Sequence, residues 1–192
     1  MATPSGDPSH DPLRPHPDLE RYYAGGEPGR RAFVRDIFDS TAGDYDRVER
    51  MMALGSGSWY RRRALERAGL KAGMRVLDVA MGTGLVAREA VVLAGSAALV
   101  TGLDPSPGMM RQALRTLSTP VVLGFGEQTA CRDATFDFLS MGYALRHLSD
   151  LAVTFREFHR VLKPGGRVCI LEITPPRAGI RRAMLRLYVR GV

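Results

Sequence analysis

The sequence predicts a Rossmann-like α/β fold, a doubly wound parallel sheet covered by helices on both faces, and three observations predict it. An apolar run, Met74 to Ala80, meets a glycine-rich turn, Met81 to Gly84, and then a helical segment, Leu85 to Leu93. Strand-like and helix-like segments alternate from there to Ile173. A second apolar run stops at an acid, Asp104, twenty residues after Gly84. Such alternation gives parallel strands joined by helical crossovers, with ligands at the carboxyl ends of the strands.

Residues 1–30 carry six of the twelve prolines, together with Gly25, Gly26 and Gly29, and show no apolar period, so a disordered arm is expected there. Residues 31–70 are expected to form a helical lid or platform: Phe33, Ile37, Phe38, Tyr45, Val48, Met51 and Met52 recur at helical spacing, with an interruption near Thr41 to Gly43. Residues 71–192 make the sheet domain. After the turn at Lys71-Ala72-Gly73, the five expected strands are Met74 to Ala80, Ala97 to Leu103, Val121 to Gly124, Phe136 to Met141 and Arg167 to Ile173. Between them, helices are expected from Leu85, from Pro107 for about ten residues, and from Asp150 to Leu162. A last amphipathic helix, Ile180 to Val192, sets Ile180, Ala183, Met184, Leu187 and Tyr188 opposite arginines.

Composition removes several classes. With 45% hydrophobic and 24% charged residues in 192, this is one ordinary globular domain. No apolar stretch approaches the roughly 18 to 20 residues of a membrane span, and no basic segment followed by an apolar one opens the chain, so export is not expected. Cys131 and Cys169 alone support neither a disulfide scaffold nor a metal site, and a reducing cytoplasm is the expected compartment. The net charge of +7 rests on 25 Arg against Lys71 and Lys163. So lopsided a usage reads as codon bias before a binding surface, and nucleic acid is not expected as a partner.

The glycine loop carries the chemistry. Gly82-Thr83-Gly84-Leu85-Val86-Ala87 satisfies the G-x-G-x-x-G/A pattern of dinucleotide enzymes, with Asp104 at the spacing of their ribose acid. Asp78 separates the readings. It ends the first strand beneath the loop, where a carboxylate opposes a diphosphate but suits an ammonium or sulfonium group. S-adenosylmethionine (SAM) has both cationic groups and no phosphate. In either reading Asp104 accepts hydrogen bonds from ribose hydroxyls. The bland alternatives are that Asp78 caps the turn and Asp104 the helix from Pro107.

The order Val76-Leu77-Asp78-Val79-Ala80-Met81-Gly82-Thr83-Gly84, Gly102-Leu103-Asp104, Phe136-Asp137 and Arg160-Val161-Leu162-Lys163-Pro164-Gly165-Gly166 resembles the class I SAM-dependent methyltransferases. Phe38-Asp39-Ser40-Thr41-Ala42-Gly43-Asp44-Tyr45-Asp46, Ala144-Leu145-Arg146-His147-Leu148-Ser149-Asp150 and Leu171-Glu172-Ile173 resemble segments of the ubiquinone/menaquinone biosynthesis C-methyltransferases. The resemblance covers roughly residues 32 to 180. It implies SAM contacts from Gly82, Thr83 and Gly84 in the loop, with Asp78 beneath it, from Asp104, from Phe125 and Gly126 near the adenine, and from Gly142 after the fourth strand. Tyr45 would close over the methionine part. Four positions depart from the family pattern: Phe125 stands for an Asn or Asp, Glu49 for an Asn, Gly57 for a His, and His147 for an Asn. Adenine recognition then rests on Phe125 stacking and the Gly126 backbone.

The implied reaction is methyl transfer to a small apolar aromatic acceptor, with C-methylation of a quinone precursor foremost. Arg146 is the candidate for stabilising a phenolate and His147 for taking its proton. An O- or N-methyltransferase and a non-catalytic module are the alternatives. Arg61-Arg62-Arg63 suits an anionic lipid surface as well as solvent, leaving peripheral membrane contact open beside a homodimer. A complete class I sheet has seven strands, so a truncated form lacking the final two is expected.

Overall fold

The computed structural model describes residues 26–52 and 56–172, with Glu27 and the stretch 44–52 as backbone alone. Five strands form one parallel sheet in the order β3-β2-β1-β4-β5, where β1 is Val76–Val79, β2 Val100–Asp104, β3 Val121–Leu123, β4 Phe136–Gly142 and β5 Leu162–Leu171. The order reverses between β2 and β4 on either side of β1, and at such a point the connections leave in opposite directions and open a crevice above the strand ends. The expected class of fold is the one observed.

Both faces are covered, because every β1 residue is buried and alternate residues feed two separate cores. Val76, Val100 and Phe138 pack under α2 (Gly57–Ala68) and α3 (Leu85–Ala94), together with Leu65, Val86, Ala87 and Ala90. Leu77, Val79, Leu103, Leu139 and Met141 pack on the opposite face with Phe158 and Val161 of α5 (Leu151–Val161). Fully burying side chains of this size is worth about 1.5 to 3 kcal/mol each.

Local chemistry places the ends. Ser106 caps α4 (Pro107–Leu114), its hydroxyl accepting from the Met109 N–H at 3.1 Å with Pro107 at the first turn. Asp150 caps α5, accepting from Ala152 N–H at 2.8 Å and Val153 N–H at 3.2 Å. Residues 97–99, expected to start the second strand, instead form a 3-10 turn because the Ser96 hydroxyl accepts the Ala98 N–H at 3.2 Å. The strand then begins at Val100.

The largest departure is α1, a single helix Gly26–Met52 where an interrupted one was expected. Ser40-Thr41-Ala42-Gly43 reads as a break. The helix passes through because the Ser40 and Thr41 hydroxyls both donate back to the Ile37 carbonyl, at 2.9 and 2.8 Å, and Ala42 is buried. The helix also starts within the stretch expected to be an arm, and Arg30 in its first turns is buried. The expected Ile180–Val192 helix, the end of the fifth strand at Ile173 and the remainder of the arm lie outside the described residues.

Candidate functional site

A cleft opens above the carboxyl ends of β1, β2 and β4, under α1, with a volume of about 1090 Å³ counting the space open to solvent. Its floor is main chain. After Val79 the chain turns sharply through Ala80, which takes a φ of 53°. Met81 N–H then donates to the Leu103 carbonyl at 3.0 Å, and Gly84 N–H to the Met81 carbonyl at 2.9 Å. Gly84, at φ 84°, leads into α3 and lies against Leu117. Gly82 takes φ 56°, and a Cβ built there would meet nothing within 4 Å, so the loop shows a bare backbone face to the cleft. Gly102 makes room for the Met81 side chain of the same loop: a Cβ there would lie 2.0 Å from the Met81 sulfur, so a larger residue would require that side chain to move.

Asp104 anchors this loop. Its Oδ2 accepts the Gly82 N–H and its Oδ1 the Ser106 N–H, both at 2.8 Å. The side chain is 5% exposed, and burial pushes its carboxyl up to about 6 against the pull of those two N–H groups, with nearby Asp39 adding to the rise. Each oxygen uses one lone pair on the backbone and keeps acceptor capacity toward the cleft.

Asp78 is placed elsewhere. Its side chain does not line the cleft but turns under α3, fully buried, where Oδ1 accepts the Ser140 hydroxyl at 2.6 Å and Oδ2 has no hydrogen-bond partner among the described residues. Burial lifts this carboxyl to about 7, opposed by the Ser140 hydroxyl and the Ala87 backbone N–H at the start of α3. Direct pairing with a cation in the cleft, the expectation for Asp78, is not what this geometry offers. Its register partner Ser140 is flanked in turn by Cys169 on β5, whose thiol is raised by burial and by Asp78.

Two loops make the far wall. Gly126 packs tightly, with a Cβ position 3.2 Å from Val79 Cγ1 and 3.4 Å from Leu148 Cδ2. Glu127 Oε1 accepts the Ser149 N–H at 2.8 Å and ties this loop to the segment after β4. There Gly142 abuts Val86, Tyr143 takes a φ of 59°, and its N–H donates to the Leu171 carbonyl at 2.7 Å. A 3-10 turn, Leu145–His147, follows.

Helix α1 closes the near side. Arg30 Nη2 donates to the His147 carbonyl at 3.1 Å and to the Ser149 hydroxyl at 3.2 Å. Arg31 Nε donates to the same hydroxyl at 3.0 Å, pairs with Glu127 at 3.5 Å, and stacks its guanidinium 4.8 Å from the Phe125 ring centre. Phe38 meets the His147 ring edge to face at 5.3 Å. Asp39 Oδ1 accepts the Ser106 hydroxyl and, at 2.7 Å, the Gly108 N–H.

Of the residues expected from sequence, Gly82, Thr83, Asp104, Phe125, Gly126, Gly142 and His147 line one cleft, and Asp78, Gly84 and Arg146 do not. Arg146 is half exposed and its Nη1 lies 2.6 Å from Glu172 Oε1; Asp150, four residues on, is occupied as a helix cap. The Tyr45 side chain lies outside the described residues. Sequence reasoning missed Arg30, Arg31, Ser106 and Glu127, and gave Asp39 no task. The one available signal was Asp39 at a motif position, without an indication of its partner.

A parallel sheet in this order, with a glycine turn after β1 and an acid ending β2, is the Rossmann-like fold of class I SAM-dependent methyltransferases. A SAM-dependent methyltransferase from Aquifex aeolicus shares it, with a TM-score of 0.56 at 23% identity over 68% of this chain and 77% of its own. The chain belongs to the ubiE/COQ5 methyltransferase family, whose profile matches residues 27–192. It is similar to the demethylmenaquinone methyltransferase of Chlorobaculum tepidum, at 34% identity over 84% of this chain and 68% of that protein. It is also similar to the ubiquinone/menaquinone biosynthesis C-methyltransferase UbiE of Rubrivivax gelatinosus, at 35% identity over 83% and 63% respectively.

The residues present fit the cofactor of such an enzyme. The bare face of Gly82 leaves room for a ligand to approach the backbone, and the Asp104 carboxylate faces the same space. No described helix is long and apolar enough to cross a membrane.

Proposed function

We propose that this chain transfers the methyl group of SAM to a ring carbon of a demethylated quinol precursor. The observation that carries the reading is the division of one cleft into a polar floor, built on Asp104 and the glycine loop, and an apolar wall of Val34, Phe38 and Leu148 with Phe125 at its rim. The names of the similar proteins favour a quinol over other acceptors. Bound SAM supplies an electrophilic methyl group on its sulfonium centre.

In this reading Asp104 takes the ribose hydroxyls, Gly82, Thr83 and Gly84 shape the floor around the amino-acid end, and Phe125 with Gly126 borders the adenine. Gly142 keeps the floor open beside Val86. Asp78 serves from behind, by fixing the loop and the start of α3. The lid helix excludes water and orders the acceptor, with Tyr45 closing over the cofactor. His147, held by Phe38, accepts the phenolic proton, which raises electron density at the neighbouring carbon. Arg146, swung from Glu172, stabilises the resulting phenolate. The lid in this reading is α1, which starts at Gly26 inside the stretch expected as an arm, while α2 packs on the sheet with the cofactor domain of residues 71–192; a cytoplasmic enzyme that touches a membrane surface or pairs with a second copy is compatible with that division.

The test is turnover with a panel of demethylquinols and simple phenols, with mass spectrometry to assign the methylated atom. Ring-carbon methylation of the quinols is the expected product. Methylation on oxygen or nitrogen would replace the reading with that of a different methyltransferase, and SAM binding without any turnover would leave a non-catalytic module.

A further inference from the structure

The lid and the floor are joined by one chain of hydrogen bonds. Asp39 on α1 accepts from the Ser106 hydroxyl and from the Gly108 N–H at 2.7 Å. Ser106 in turn donates its own N–H to Asp104 Oδ1 at 2.8 Å, and Asp104 Oδ2 holds the Gly82 N–H at 2.8 Å. Four elements, the lid helix, the α4 cap, the end of β2 and the glycine loop, are thereby linked through two carboxylates, Asp39 and Asp104. The contact is close on its other side as well: a Cβ at Gly108 would lie 2.7 Å from Asp39 Oδ1 and 3.0 Å from its Cα.

We propose that Asp39 is a positioning residue for cofactor binding, which seats the lid helix on α4 and, through Ser106, fixes the Asp104 carboxylate. The inference rests on the reading that Asp104 binds the cofactor. It explains a feature of the electrostatics. The Ser106 hydroxyl, foremost, and the Gly108 N–H hold Asp39 below its ordinary range, with Arg35 of α1 and Arg111 of α4 assisting. Asp39 therefore stays ionised, and its charge helps to raise Asp104. Asp78 on β1 also interacts with Asp104, while Arg30, Arg31 and Arg35 of α1 and Glu127 line the same cleft, and β3 carries no charged residue. An ionised lid carboxylate thus acts on the cofactor acid both by geometry and by charge.

The experiment measures S-adenosylhomocysteine affinity by calorimetry from about pH 5 to about pH 8, and cofactor KM and kcat, for the parent chain and three variants. Asp39→Ala should weaken affinity by about tenfold and raise KM more than it lowers kcat. Asp39→Asn keeps an oxygen for both donors and removes the charge; it should bind within about threefold of the parent near pH 8, with the midpoint of its pH profile moved to lower pH. Gly108→Ala favours α4 yet crowds Asp39, so a loss of affinity in that variant cannot come from a weakened helix. Asp39→Ala and Gly108→Ala both binding like the parent would overturn the inference, as would an Asn variant whose profile did not move. A parent chain that failed to bind S-adenosylhomocysteine would overturn the inference together with the site reading beneath it.

Discussion

The Arg146 guanidinium and the Glu172 carboxylate meet at 2.6 Å and join the turn after β4 to the residue that follows β5. Arg146 is 52% exposed and stands outside the cleft lining, so this pair gives it a structural task. An ion pair so exposed is worth roughly 0 to 1 kcal/mol. If Arg146 also leaves Glu172 to stabilise a phenolate, Arg146→Ala should lower kcat by about 10² with SAM affinity nearly unchanged, because the loss falls on the transition state. Single-turnover kinetics decide it: a rate within about threefold of the parent assigns Arg146 to the pair alone.

Asp104→Ala should lower SAM affinity by about a hundredfold or more, through lost charge-assisted hydrogen bonds and a released Gly82 loop. The parent should also show a pH dependence. In the proposed binding mode the ribose hydroxyls would donate to the ionised carboxylate, and burial raises this carboxyl to about 6. Affinity is therefore expected to be full above about pH 7 and to decline as pH falls through 6. Calorimetry with a flat profile across that window would place the ribose elsewhere.

For Asp78 the prediction concerns stability. Its carboxyl sits at about 7 in the folded chain against an ordinary 3.8, so between those values the folded state holds a proton that the unfolded chain has released. Stability then falls as pH rises through that window, fully present below it and lost above it. Asp78→Asn cannot titrate and keeps an acceptor for Ser140. It should flatten the curve, shrinking the difference between about pH 5 and about pH 8 by more than about 1 kcal/mol in urea unfolding. A variant with the parent's full dependence would assign the titration to another group.

Gly142→Ala tests the contact between the end of β4 and the start of α3. The new methyl would lie 2.6 Å from Val86 Cγ2, on a β-branched side chain with little freedom to move aside. A cost of about 1 to 3 kcal/mol is expected in thermal or chemical unfolding, with weaker SAM binding. Parent-like stability would mean that α3 shifts freely at this point.

The sheet was legible because its signals are local. An apolar run, a glycine turn and an acid at a set distance are all visible in a short window, and Gly82, Thr83 and Asp104 do meet in one cleft. What was not legible depends on partners remote in sequence. Arg30 and Arg31 are separated from Ser149 by 119 and 118 residues, and Asp39 from Ser106 by 67. Nothing in an arginine pair at the start of a helix says which loop it will clasp. Asp78 shows the complementary limit: alternation along β1 fixes its depth in the sheet, but which face the loop presents depends on how Ala80 turns the chain. The 3-10 turn at residues 97–99 was hidden because Ala-Ala-Leu is equally apolar in either conformation and only the Ser96 hydroxyl chooses.

Ala80 and Tyr143 stand at the ends of two adjacent strands, and both take positive φ, 53° and 59°. Each bends the chain at the strand end, and the floor there is lined by Ala80, Gly82, Gly142 and Tyr143 with the Asp104 carboxylate among them. The wall above is the opposite case, made of Val34, Phe38 and Leu148, whose volumes can change without touching a floor hydrogen bond. In the proposed reading, recognition of the cofactor would rest on the glycine loop and the Asp104 carboxylate, and recognition of the acceptor on the apolar side chains above them. Such a scaffold would be open to redesign: new acceptors could be sought by repacking Val34, Phe38 and Leu148 while Asp39, Asp104 and the glycine loop are kept.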